Sequence, residues 1–298
     1  MKRIALISLV ALVMAGACKK KDDDNPQPDP MIKNLTLDIS GLENLGSHYA
    51  YEGWIIVDGA PVSTGVFMVD DNGKMSKSTF SISETVLDNA STFVLTIEPS
   101  PDSDPSPSSV HILAGDFSGS GASLMVDHGA ALGNDFVSVA GTFILATPTT
   151  STMDDELSGV WFLDLSSGSP AVGLMNLPAL PDGWVYEGWA VTNGVPVTSG
   201  RFSVADMADY SAPYSGTDAA GPPFPGEDFV SNAPMGVNFP TNLSGGKAVI
   251  SIEPEPDNSP NPFLLKPLVG DVPANAMDHK TYMMNNNAAG FPTGTASR

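Results

Sequence analysis

The chain has 298 residues, with 13 lysines and arginines against 34 aspartates and glutamates, a formal charge of −21 at pH 7. So acidic a body repels phosphate backbones and anionic head groups, and no basic patch interleaved with aromatics offsets it, so nucleic acid is excluded as a partner. Only 16% of residues are charged, while glycine and proline number 29 and 26; this excludes a long-helix protein and fits short strands joined by tight turns.

Residues 1–17 read as a lipoprotein signal peptide. Lys2 and Arg3 form a basic start, Ile4 to Met14 is apolar apart from Ser8, and the small residues Ala15, Gly16 and Ala17 lead into Cys18. The apolar run is too short to span a bilayer comfortably and has the layout of a secretory signal. Cys18 is the only cysteine. A lone thiol is a liability in an oxidising compartment, and attachment of a lipid uses it up. The segment resembles the lipobox of bacterial lipoproteins, with Ala15 where leucine is common there. An ordinary secretory signal with an incidental cysteine is the blander alternative. On the lipoprotein reading, acyl chains on Cys18 hold the chain to a membrane without any transmembrane helix.

Residues 18–34 read as the lipidated cysteine and a flexible tether. Lys19-Lys20-Lys21, Asp22-Asp23-Asp24 and Asn25-Pro26-Gln27-Pro28-Asp29-Pro30 offer charge blocks and prolines that cannot bury a core. The Lys-Asp-Asp-Asp order resembles the surface-export signal of Bacteroidetes lipoproteins. That resemblance implies an outer-membrane lipoprotein exposed at the cell surface; a plain linker and a periplasmic face are the alternative.

The remainder repeats itself. Tyr51-Glu52-Gly53-Trp54, followed by Asp58, Gly59, Pro61, Val62, Gly65 and Phe67, returns as Tyr186-Glu187-Gly188-Trp189, followed by Asn193, Gly194, Pro196, Val197, Gly200 and Phe202. Glu98-Pro99 returns as Glu253-Pro254, and Asp127-His128 as Asp278-His279. Two copies of one folding unit are therefore expected, a first β domain at 35–150 and a second at 151–298. The second carries an insertion within Ser203 to Pro240, as a surface loop tolerates.

Alternation and β-branching predict strands at Leu35 to Ile39, Trp54 to Val57, Val66 to Val69, Phe93 to Ile97, Val110 to Leu113 and Phe143 to Ala146. In the second copy they predict Val160 to Leu163, Trp189 to Val191, Arg201 to Val204, Val249 to Ile252 and Phe263 to Leu265. Asp58-Gly59, Asn72-Gly73 and Asn193-Gly194 accept positive φ and suit tight hairpins. The fold class is all-β, a sandwich or partly closed barrel per repeat. Within each copy the Tyr-Glu-Gly-Trp and Gly-x-Phe blocks form two arms of one hairpin. Trp54 is expected beside Phe67, and Gly53 and Gly65 are expected to leave room for a large ring.

The order Tyr-Glu-Gly-Trp, Asp/Asn-Gly-x-Pro-Val, Gly-x-Phe and Glu-Pro resembles the extracytoplasmic C-terminal domain of anti-sigma-K factors, over most of 48–118 and less continuously over 183–272. The glycine-rich segment usual after Glu-Pro is replaced by Pro101-Asp102-Ser103-Asp104-Pro105 and Pro256-Asp257-Asn258-Ser259-Pro260. Family members that regulate a sigma factor place a cytoplasmic sigma-binding segment and a transmembrane helix before this domain. Neither is recognised here, so the resemblance implies the outer, binding half alone, since a fold does not fix a function.

Candidate chemistry is sparse. Glu52 and Glu187 could be buried acids near Trp54 and Trp189, or strand carboxylates that accept hydrogen bonds. With Glu98 and Glu253 they make two glutamates per copy, and paired carboxylates are what glycoside hydrolysis needs. Asp102, Asp104, Asp257 and Asn258 offer two or three oxygens where calcium takes about six, so solvated turns are favoured and neither metal nor cofactor is expected. His128 and His279 beside aspartates read as hydrogen-bonded turns, lacking a third ligand or a nucleophile. The insertion gathers Tyr210, Tyr214, Phe224 and Phe229, which could form a platform for a sugar or an extended peptide or pack on their own domain. The expected protein is a non-enzymatic, membrane-anchored module that binds an extracellular or periplasmic protein or glycan. A glycan-acting hydrolase and a purely structural envelope protein are the alternatives.

Overall fold

A computed structural model of the chain describes residues 31–257 and 259–298; Cys18, the signal and the tether up to residue 30 lie outside the described residues. The first repeat contains β1 (Ile32–Ser40), β2 (Tyr49–Val57), β3 (Ala60–Phe67), β4 (Thr79–Ser83), a short helix α1 (Glu84–Asp88), β5 (Ala90–Pro99), β6 (His111–Asp116), β7 (Gly121–Leu124) and β8 (Ala140–Leu145). The second contains β9 (Gly159–Trp161), β10 (Leu163–Asp164), β11 (Ala171–Val172), β12 (Leu174–Met175), β13 (Trp184–Thr192), β14 (Val195–Phe202), β15 (Gly226–Asp228), β16 (Lys247–Pro254), β17 (Leu268–Asp271), β18 (Tyr282–Asn286) and β19 (Thr293–Ser297). The protein is all-β, as its composition implies. Among the described residues no helix is long and apolar enough to cross a membrane.

The duplicated sequence folds as duplicated topology with one strand exchanged each way. In the second repeat the sheet runs β14-β13-β16-β17-β18-β8-β9-β15, and β15 returns alongside β14, so it nearly closes into a barrel. In the first repeat the sheets β3-β2-β5-β6 and β7-β19-β1-β4 follow the same order, linked by the Ala114–Met125 bridge and by β4 lying beside β3. The strand between β18 and β9 is β8, from the first repeat, and the strand between β7 and β1 is β19, from the second. Each barrel is thus completed by the other repeat's last strand, and residues 31–298 make one compact unit. One set of buried side chains spans both, from Leu35, Tyr51 and Phe93 to Phe143, Phe202, Ile250 and Ala296. Strand β1 starts at Ile32, so residues 32–34 belong to the sheet rather than to the spacer.

The hairpins form as their turn residues dictate. Asp58 and Gly59 have φ of 51° and 80°, and Asn193 and Gly194 have 52° and 80°, the paired positive values of a type I′ turn. In both hairpins the register slips before the tryptophan. Gly53 faces Gly65 but Trp54 faces Ser63, and Gly188 faces Gly200 but Trp189 faces Thr198, which leaves Thr64 and Ser199 as bulge residues.

Strand parity corrects the expected Trp54–Phe67 pair. Tyr51 lies opposite Phe67 and stacks on it with centroids 5.5 Å apart, and Tyr186 stacks on Phe202 at 5.6 Å. Trp54, an odd number of residues from Tyr51, turns to the other face, into a small cluster with Val94, Ala114 and Ala131. The glycines do leave room for rings. A Cβ on Gly53 would sit 3.0 Å from Phe93, and one on Gly65 3.3 Å from Phe80. In the second copy Phe162 covers Gly188, whereas the carboxyl of Asp209 covers Gly200. The predicted strand at Phe263 to Leu265 is irregular, because Pro262 and Pro267 interrupt the ladder; the strand there is Leu268–Asp271.

Candidate functional site

The repeated glutamates of the Glu-Pro phrase are bound into the scaffold. The β2–β5 register sets Glu52 opposite Thr96 and Trp54 opposite Val94, so Glu52, Trp54, Thr96 and Glu98 share one sheet face. Trp54 Nε1 donates to Thr96 Oγ1 at 2.9 Å, Thr96 donates to Glu98, and the amide of Ser108 donates to both Glu98 oxygens at 2.9 and 3.2 Å. The second copy repeats the relay. Trp189 Nε1 donates to Ser251 Oγ at 2.8 Å, Ser251 donates to Glu253, and the amide of Phe263 donates to Glu253 at 2.9 and 3.2 Å. Glu98 and Glu253 are 2% and 0% exposed. Burial pushes the Glu253 carboxyl up to about 8, against the pull of the Ser251 hydroxyl and the Phe263 amide. Both carboxylates strap the following loop onto the sheet.

Glu52 and Glu187 accept from Ser63 and Thr198, the residues beside the bulges. Burial raises both, Glu187 to about 6. None of the four glutamates lines the cavities described below.

The repeated histidines differ between copies. His279 Nδ1 lies 3.0 Å from Asp278 Oδ2, the expected turn, but His128 reaches Asp116 instead, at 3.4 Å, and its Nδ1 accepts the amide of Ala130. The acidic loops form local turns: Asp102 accepts the amide of Asp104, Asp104 that of Ser106, and Asp257 that of Ser259; Asn258 lies outside the described residues. Among the described residues no three His, Cys, Asp or Glu side chains gather to hold a metal.

The insertion folds onto its own barrel. Phe229 is fully buried, Phe224 packs with Trp161 and Ile144, and Tyr214 meets Phe229 and Phe239 at 6.1 and 5.4 Å. Phe224 and Phe229 are therefore packing residues, and Tyr210, 60% exposed, is the one of the four candidates that presents its ring to solvent. The repeats hid a second polar anchor beneath the insertion: Asp228 accepts Trp161 Nε1 at 2.8 Å and the backbone and hydroxyl of Thr149. Glu227 accepts Ser215, and burial lifts its carboxyl to about 7.

A cavity with mainly apolar walls lies where the two Glu-Pro segments converge. It holds about 250 Å³ and takes Leu45, Tyr49, Ile97, Pro99 and Val110 from the first repeat and Pro254, Pro256 and Phe263 from the second, with Glu43, Glu255 and Asp257 as its charged residues. Two more open hollows adjoin it, one sharing Glu43 and one sharing Glu255, the latter lined by Trp184, Tyr186 and Tyr210. Phe263 is placed by the strap on Glu253 and packs on Trp184 at 5.9 Å. Tyr49 and Trp184 stand at matching positions, two residues before Tyr51 and Tyr186, an aromatic match just outside the repeated phrase. Glu43 carries no such signal, because the second copy has Pro178 where its carbonyl equivalent accepts the tyrosine hydroxyl.

A family model described as anti-sigma-K factor rskA, C-terminal, matches residues 29–111. This is the region of β1 to the start of β6, including the Tyr-Glu-Gly-Trp hairpin and the Trp54–Thr96–Glu98 relay. No curated protein and no solved structure matches the chain.

Proposed function

We propose that this chain is a cell-envelope lipoprotein, anchored through Cys18 and exposed at the surface, whose paired β repeats form a non-enzymatic binding module related to the outer domain of anti-sigma factors. The family match to residues 29–111 supports the relationship. The basic start, apolar run and Ala-Gly-Ala-Cys order support the anchor.

The observation that carries the non-enzymatic reading is the fate of Glu98 and Glu253. A glycosidase needs one carboxyl poised to protonate a leaving oxygen and a second facing the same bond across a cleft. Here both are buried, and each accepts a hydroxyl from its own strand and a backbone amide from the following loop. Glutamine at either position is expected to alter the melting temperature of the protein; a hydrolase would lose glycan turnover with its melting unchanged.

The anchor has its own test. Cys18→Ala is expected to move the protein from the membrane pellet to the soluble fraction, and protease added to intact cells is expected to digest the wild type. Retention of Cys18→Ala in the membrane, or full protection of the wild type on intact cells, contradicts the placement.

A further inference from the structure

The junction cavity has apolar walls and charge of one sign. Tyr49, Ile97, Val110 and Phe263 face it, its ionisable side chains are Glu43, Glu255 and Asp257, and among the described residues no lysine or arginine lines it. Lys266 Nζ donates to the carbonyl of Phe263 at 2.6 Å while its charge also acts on Glu43, and Arg201 Nη1 pairs with Glu255 at 4.0 Å. Among the described residues the Glu43 carboxylate accepts no hydrogen bond, although Glu43 is partly buried.

From this geometry we propose that the cavity binds a primary ammonium carried on a short apolar stem, with Glu43 accepting the ammonium and Tyr49 and Phe263 flanking the stem. The inference rests on the binding-module reading and supplies its ligand chemistry. A partly buried carboxylate without a hydrogen-bond donor is costly, and a charge-assisted hydrogen bond removes that cost. Burial already holds the Glu43 carboxyl at about 7, with nearby Lys266 lowering it and Asp257 raising it, so the site has a proton to exchange for a cation. Aromatic faces beside an ammonium add cation–π attraction. A cavity of 250 Å³ has the volume of about eight liquid waters, room for a ligand of roughly eight to ten non-hydrogen atoms. A neutral stem would leave Glu43 unanswered, and an anion would meet three carboxylates.

Calorimetric titration of residues 31–298 at about pH 8, where Glu43 is ionised, tests this with three probes of similar size: 2-phenylethylamine, 2-phenylethanol and phenylacetate. The amine is expected to bind at one site about tenfold or more tightly than the alcohol, and the acetate not to bind. Glu43→Gln is expected to abolish the amine's preference while leaving the alcohol's affinity in place and the melting temperature no lower than the parent's; Asp257→Asn is expected to reduce the preference less. An acetylated Gly-Lys-Gly amide identifies the source: tighter binding than phenylethylamine assigns the ammonium to a partner's lysine, weaker binding assigns it to a free amine. Equal affinity for amine and alcohol, or a preference that survives Glu43→Gln, overturns the proposal. Such a failure removes this ligand class alone, whereas cleavage of a glycan by the protein would overturn the module reading whatever the amine does.

Discussion

Deleting residues 293–298 is expected to destabilise the protein severely, because both repeats share one core. Strand β19 is an interior strand of that barrel, paired with β1 from Thr36–Ser297 to Ser40–Thr293 and with β7 from Gly294–Leu124 to Ser297–Gly121. Ala296 is fully buried between them. Beyond the strand, the Arg298 guanidinium donates to the carbonyls of Leu87 and Ala90 at 2.6 and 2.7 Å and lies over the Phe117 ring at 4.4 Å. Loss of an interior strand leaves two unpaired edges and opens the core to water. At about 1 kcal/mol net per hydrogen bond, the ladders alone approach the whole stability of an ordinary domain, about 5–15 kcal/mol. Calorimetry should show the loss, with insoluble protein or a melting point lower by more than about 10 °C. A truncated chain that melts within about 2 °C of the parent would mean that the barrel closes without its borrowed strand.

The folded protein should also lose stability as pH rises from about 5 to 8. Burial is the first cause lifting Glu43 and Glu227 to about 7, Glu187 and Asp209 to about 6, and Glu253 to about 8. In the unfolded chain the same groups release their protons near their ordinary values of 4.5 and 3.8. Below those values both states are protonated and the contribution is fully present. Above them the unfolded chain ionises first, and stability falls until the pH has passed the folded values. Asp70, Asp116, Asp164 and Asp218 are held low by hydrogen bonds and act only on the acid side, below about pH 4. Several buried carboxyls at about 1.4 kcal/mol per pKa unit make the drop worth several kcal/mol, a fall in melting temperature of about 10 °C. Thermal melts at constant ionic strength measure it, and Glu253→Gln, which mimics the protonated side chain, should flatten the profile. A melting temperature that climbs from pH 5 to 8 contradicts this account.

What could be read from the chain depended on how local its cause was. The type I′ hairpins at Asp58-Gly59 and Asn193-Gly194 were legible because backbone sterics select those pairs, and the all-β class because glycine, proline and alternation act over a few residues. The Trp54–Phe67 pairing failed on parity: Tyr51, not Trp54, shares the inward face with Phe67. The strand exchange left no trace, because β8 and β19 carry no repeated phrase. Which sheet a final strand joins is decided by core contacts far away in sequence. The glutamates were legible as a repeat but not as a relay, since Trp54, Thr96 and Ser108 meet Glu98 only once β2 and β5 are in register. The junction cavity was invisible for the same reason: its walls come from segments that only the fold brings together.

The most direct test of the central claim, that the repeated glutamates hold a binding module together rather than cut a substrate, is product analysis. Soluble protein of residues 31–298 would be incubated with purified envelope polysaccharides, and new reducing ends counted by mass spectrometry. The account predicts none above the protein-free control. Reducing ends that appear with the parent protein and vanish with a folded Glu98→Gln or Glu253→Gln variant would contradict it.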